Sequence, residues 1–144
     1  MKEIIRELIK KTETDLKREI KAVKFFCSEY GLFYKKQGKN NFDFKIYNSQ
    51  DEFLFNLEVK GRLKDLKNAY PLPIAIRKLL KLSDTKQLAT VLWCCNDGII
   101  FSWLHRLNGN IKIGGRKPRP NSVNDIELMA YYEKCNSLIE IKFK

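Results

Sequence analysis

Asp43, Glu58 and Lys60 are the residues of this chain whose types and spacing could do chemistry, and they lie in the segment NFDFKIYNSQDEFLFNLEVKG. Phe42, Phe44 and Ile46 alternate with polar residues, residues 48–52 have turn composition, and residues 53–59 form a second apolar run. That pattern predicts two antiparallel strands joined by a short loop. Asp43 is early on the first strand and Glu58 late on the second, so the hairpin sets the two carboxylates side by side. Glu58 and Lys60 are two apart on a strand and project from one face. Carboxylates held together repel unless a cation joins them, and hard oxygen ligands favour Mg²⁺ or Mn²⁺. A lysine beside such a metal can orient or deprotonate water, or neutralise a phosphate.

The elements that must position these residues follow from periodicity. Residues 2–29 read as helical: Ile4, Ile5, Leu8 and Ile9 form one apolar stripe, and Leu16, Ile20, Val23, Phe26 and Cys27 another. The intervening Thr12-Glu13-Thr14-Asp15 has capping character and allows a break into two helices. Gly31 is placed to end the helix. Leu32-Phe33-Tyr34 starts a first strand, and a turn at residues 38–41 leads into the hairpin. Pro71-Leu72-Pro73 opens a second helix through about Leu82, or as far as Gln87. Residues 89–95 and 99–104 form another hairpin across Asn96-Asp97-Gly98, a tight-turn signal. Residues 108–122 are rich in Gly, Pro and basic residues and read as a mobile arm. A short helix over residues 124–134 and a strand over 137–143 complete the chain. The expected architecture is α/β: a single domain with a small mixed central β-sheet flanked by helices. Its core spans about residues 14–104, with a C-terminal addition over 105–144.

The 144 residues, 44% of them hydrophobic, suffice for one packed core. No apolar run approaches the roughly 20 residues of a membrane helix. Residues 1–30 are charged throughout and lack a secretory leader's apolar stretch. No membrane partner and an intracellular location are therefore expected. Cys27, Cys94, Cys95 and Cys135 lack paired metal-ligand spacing, and His105 is the only histidine. Structural zinc does not fit this set; buried reduced thiols do. Trp93, Trp103, Tyr131 and Tyr132 sit at core-like positions and read as packing residues, and His105 as a surface or structural histidine. The net charge of +11 points to a polyanionic partner, against a merely lysine-rich solvated surface. Its distribution favours nucleic acid. No acidic residue occurs from Gly98 to Asn124, where Arg106, Lys112, Arg116, Lys117 and Arg119 fall, and Lys60, Arg62, Lys64 and Lys67 follow the carboxylate strand directly. Tyr34-Lys35-Lys36 and Gln37-Gly38-Lys39 lie near the sheet end bearing Asp43, placed for phosphate contact or for simple solvation.

This order of elements, with Asp43 and Glu58-Val59-Lys60, resembles the PD-(D/E)xK nuclease superfamily, nearest in feel to small archaeal Holliday-junction resolvases and viral or phage nucleases. The resemblance covers roughly residues 14–104. It implies Mg²⁺- or Mn²⁺-dependent hydrolysis of DNA phosphodiester bonds, with Asp43, Glu58 and the Val59 carbonyl as metal ligands. It places Glu19, on the helix before Gly31-Leu32, near a metal or the attacking water, and Lys60 where it positions that water. Gln87 matches a glutamine often found after the core lysine. The family's proline before the aspartate is absent, since Phe42 stands there. Resolvases cut symmetrically as homodimers, and the apolar strands around Val91–Leu104 would supply the dimer surface.

Two other E-x-K triplets compete: Glu19-Ile20-Lys21 and Glu140-Ile141-Lys142. Asp125 precedes Glu140 by the interval that separates Asp43 from Glu58. Asp125, however, opens a helix-like segment, and Glu140 lies too near the C-terminus for a further helix and strand to follow. The other readings are ordinary surface carboxylates, a non-catalytic nucleic-acid-binding protein on a nuclease scaffold, a homing or restriction-type endonuclease, and an adaptor for an acidic protein.

The basic arm yields a test. Replacing Arg116, Lys117 and Arg119 together by alanine should weaken DNA binding and flatten its salt dependence, by roughly 0.9 log unit of slope for each duplex phosphate no longer neutralised. Single-turnover rates at saturating DNA should change far less than affinity. An unchanged salt slope would show that these cations do not touch phosphate.

Overall fold

The computed structural model describes residues 2–38, 43–115 and 126–144. Helix α1 (Lys2–Tyr30) runs unbroken through 29 residues, across the capping segment where the sequence allowed a break. Ala22, Val23, Phe26 and Cys27 recur at helical spacing and are buried. At the C-terminus, Gly31 has φ 64°. The Leu32 N–H donates to the Cys27 carbonyl at 2.9 Å, the closing bond of a Schellman cap, for which glycine is the residue without steric penalty.

Strands β1 (Phe33–Lys36), β2 (Phe44–Tyr47) and β3 (Phe53–Gly61) form an antiparallel meander. Next come β4 (Leu72–Ala75), α2 (Ile76–Ser83), β5 (Ala89–Cys94) and β6 (Gly98–Trp103). Strands β7 (Asn110–Gly115), β8 (Ile126–Tyr132) and β9 (Ile139–Lys142) complete the described elements. Six strands join in the order β1-β2-β3-β5-β6-β9, with β3 and β5 parallel and every other pair antiparallel. A second, antiparallel sheet has the order β4-β8-β7. The protein is thus a small α/β protein with a mixed multi-strand sheet and, among the described residues, two α-helices.

Two cores lie on the two faces of the large sheet. Phe44, Ile46, Leu57, Val59, Leu92, Ile99 and Phe101 pack against α1. Ala89, Val91, Trp93 and Ile100 pack on the opposite side with Leu72, Ile74, Leu82, Ala130 and Tyr132 of the second sheet and α2. Successive β5 residues therefore enter different cores, as the period of two requires, and the whole strand is buried. The Trp93 Nε1–H donates to the Pro73 carbonyl at 2.8 Å and ties the sheets together.

Several expectations change here. The second face carries a three-stranded sheet beside α2 rather than helices alone. Pro71-Leu72-Pro73 does not open a helix; it leads into β4, an edge strand of the second sheet, where Pro73 needs no ladder N–H. The segment expected as a helix over 124–134 contains β8 instead, and part of the expected arm is β7, hydrogen-bonded to β8. Residues 116–125, including Arg116, Lys117 and Arg119, lie outside the described residues, as does Lys39. Strands β5 and β6 are buried within the sheet and expose no apolar face of the kind expected for a dimer surface. The described cysteines are all free thiols; Cys27, Cys94 and Cys95 are buried, while Cys135 is exposed. No described helix is long and apolar enough to cross a membrane.

Phe44 begins β2, pairs with Leu57 and is 0% exposed, so it anchors the strand end next to Asp43. Phe44→Ala should lower stability by about 3–5 kcal/mol, read as a shift in urea midpoint. Phe33→Ala, at a 58% exposed position, should stay within about 0.5 kcal/mol of wild type. Equal effects of the two changes would contradict this placement of the core.

Candidate active site

The unequal lengths of β2 and β3 create the site. Strand β2 stops at Phe44, opposite Leu57, while β3 continues to Gly61 alongside β5. Val59, 2% exposed, lies beyond the last β2 partner, and a buried N–H left unpaired there would be costly. Asp43 supplies the acceptor: the Val59 N–H donates to Asp43 Oδ2 at 2.8 Å. The Asp43 carbonyl in turn accepts the Gln37 N–H at 3.0 Å, so backbone and side chain are both tied down.

Val59 faces α1, so Glu58 and Lys60 face the other way. Glu58 is 3% exposed. Its Oε1 lies 3.5 Å from Lys60 Nζ and 3.5 Å from Lys78 Nζ of α2. Both contacts are longer than a charge-assisted hydrogen bond of about 2.7–2.9 Å, and Oε1 has no hydrogen-bond partner. Asn56, on the same face, is 0% exposed. Its Nδ2 donates to Gln87 Oε1 at 3.0 Å, while its Oδ1 has no partner. A polar row of Asn56, Glu58 and Lys60 thus runs along a strand whose opposite face, at Phe55, Leu57 and Val59, is apolar.

Glu19 approaches from α1. It lines a cleft of about 280 Å³ with Lys60, Gly61 and Cys94, and another of about 240 Å³ with Asp43, Lys36 and Lys78. Burial, reinforced by the Asp43 charge and opposed by Lys60, raises the Glu19 carboxyl to about 7. Asp43 is also raised, by burial first and by Glu58 second, against the Val59 N–H and the two lysines. Mutual repulsion in partial burial is the condition a divalent cation relieves. Among the described residues, no three His, Cys, Asp or Glu side chains already form a metal-holding group. The donor chemistry nevertheless fits a hard cation: Asp43, Glu58, Glu19 and the Val59 carbonyl offer only oxygens, and one of these, Glu58 Oε1, is buried without a hydrogen bond. A larger cavity, of about 430 Å³, lies elsewhere; it is lined by Phe26, Phe55, Phe101 and Trp103 among others, with no carboxylate side chain in its lining.

The predicted phosphate-binding residues separate into groups. Lys36 lines the Asp43 cleft. Lys35 pairs with Asp51 at 3.5 Å and lies over the Tyr47 ring. Lys64 is exposed on the loop after β3. Arg62 is committed to structure: its Nε donates to the Ala69 carbonyl at 2.8 Å and its Nη2 to that of Pro71 at 3.4 Å. The rival triplets are placed differently. Glu19-Ile20-Lys21 is helical, and Glu140 on β9 pairs with Lys134 at 3.2 Å. Asp125 lies outside the described residues. His105 stacks beside Trp103 and lines neither cleft that holds Glu19.

Lys78 is the site residue that the sequence motif did not reveal. It stands one helical turn before Leu82, which is 1% exposed, so a charged side chain falls on the inward stripe of α2. That conflict between charge and periodicity was the available signal.

The raised Glu19 carboxyl carries a pH test. The folded state holds this proton more tightly than the unfolded chain, so its stabilising contribution is full below the ordinary value of 4.5 and is lost as pH rises through about 7. In EDTA, Glu19→Gln should therefore gain thermal stability relative to wild type between those pH values and keep the gain above them. A pH-independent difference would contradict the crowding of Glu19. No family model, curated protein or solved structure matches this chain, so its function is read from the residues and the geometry of this site.

Proposed function

We propose that this protein is a Mg²⁺- or Mn²⁺-dependent DNA endonuclease of the PD-(D/E)xK type. The observation that carries the reading is the 2.8 Å bond from the Val59 N–H to Asp43, which sets Asp43 beside Glu58 and Lys60 at the end of β3. The topology supports it: a helix, an antiparallel meander and a crossover containing α2 return the chain to β5, parallel to β3. The support is limited to this helix, meander, crossover and strand order; β4, the second sheet and the outer strands β6 and β9 lie outside it.

In this reading Asp43, Glu58 and the Val59 carbonyl hold the metal, with Glu19 at its edge. The bound cation supplies Lewis-acid polarisation of the phosphate and a water of lowered pKa. Lys60 shares the Glu19 cleft, where an ammonium can hold a water or offset charge on the attacked phosphate. Lys36 and Lys64 supply charge for the DNA backbone. Structure-specific cutting, as in junction resolvases, remains within this reading. A dimer would have to pair through a face other than β5 and β6.

One observation favours a second reading, a nucleic-acid-binding protein without catalysis: Glu58 already has two ammoniums 3.5 Å from Oε1. Incubation of supercoiled plasmid, linear duplex and four-way junction with Mg²⁺, Mn²⁺ or EDTA separates the two. The endonuclease reading expects metal-dependent cleavage, reduced on the order of a hundredfold or more in Asp43→Asn and Glu58→Gln with DNA binding retained. Lys60→Ala should impair turnover more than affinity. Wild-type cleavage rates in the carboxylate variants would remove this site; binding with no cleavage of any substrate would establish the second reading.

A further inference from the structure

Glu58 Oε1 is shared by two ammoniums at equal distance, and they differ in what carries them. Lys60 is on the same strand, two residues away, with its backbone in the β3–β5 ladder. Lys78 reaches the oxygen from α2, a separate element, and borders the Asp43 cleft. It can therefore withdraw by rotating its own stem, without disturbing the strand. Its hold on Glu58 is electrostatic, because Oε1 accepts no hydrogen bond. A buried carboxylate oxygen held in this way is open to a stronger cation.

We propose that Lys78 is a placeholder cation: it neutralises Glu58 in the metal-free protein and is displaced from that carboxylate when a divalent ion binds. It is a positioning residue, acting through Glu58, and the proposal rests on the metal-dependent reading of the site. Its consequence is a raised metal requirement, since each binding event must break the Lys78–Glu58 contact and overcome the repulsion of an ammonium beside the incoming ion.

Titration calorimetry with Mn²⁺ alone, on the full chain without DNA, tests this apart from activity. Removing the competing charge in Lys78→Met should tighten Mn²⁺ binding by about tenfold, since a unit charge at contact distance acts strongly at a partly buried site. Lys78→Gln serves as a second neutral variant, and Lys78→Arg, which keeps the charge, should remain near wild type. Glu58→Gln should abolish the binding. If Glu58-dependent Mn²⁺ binding is present but neither neutral variant tightens it, the placeholder role is overturned and the metal site stands. If wild type shows no Glu58-dependent Mn²⁺ binding, both fall together.

Discussion

A carboxylate 3% exposed on a central strand is the constraint around which this site is arranged. Withdrawing an ionised group from water costs several kcal/mol, and neighbouring charges return that only with good geometry. Glu58 has two cations beside it and no hydrogen bond on Oε1, so its compensation is incomplete. Packing alone would favour an apolar residue there. The neighbouring strand β5 shows what such a position selects, with six buried residues, only one of them, Thr90, polar. Asn56, Glu58 and Lys60 break that rule on one face of β3 while Phe55, Leu57 and Val59 obey it on the other. A local violation of this kind, supported by ordinary packing around it, is the pattern expected where function opposes stability.

Topology brings the remaining parts to the same place. Parallel strands cannot be joined by a tight hairpin and need a crossover of a dozen or more residues. The β3–β5 pair therefore demands an excursion between Gly61 and Ala89, and that excursion contains α2. Lys78 reaches Glu58 because the crossover returns across the face on which the carboxylate stands. Glu19 arrives from the other face, since α1 packs on the Leu57 and Val59 side. Asp43 and Glu58 stand where β2 has ended and β3 continues, at a strand end that groups from both layers approach.

Local signals made much of this legible. The alternation at Phe44–Ile46, the turn composition of residues 48–52 and the Asn96-Asp97-Gly98 turn all encode contacts between neighbours in sequence, and each corresponds to a strand pair that is present. The period of α1 and its Gly31 cap were equally local. Strands β4 and β8 were not, because they pair with each other across most of the second half of the chain. Leu128, Met129 and Ala130 favour helix by intrinsic preference, and only burial of Ala130 and Tyr132 against the second core makes them strand. Arg62 shows the same limit for function. Its place in a basic run suggested phosphate, whereas its guanidinium holds two backbone carbonyls of the following loop.

The charge pattern contains a tension that bears on the choice between readings. A chain with a net charge of +11 attracts a polyanion, and a surface that only bound DNA would gain from cations throughout. Here Glu19 and Asp43 instead line the cleft that Lys36 and Lys78 border, with Glu58 close enough to act on both. Burial and the neighbouring carboxylates raise the proton affinity of Glu19 and Asp43, and the three side chains would repel a phosphate brought among them. A divalent cation held by Asp43, Glu58 and Glu19 would reverse this, lowering the repulsion between the carboxylates and offering positive charge to a phosphate. The acidic cluster is a cost to a binding protein and an asset to a metal-dependent hydrolase. For that reason the basic surface and the partly buried carboxylates, taken together, support the proposed metal-dependent reading more than either feature does alone.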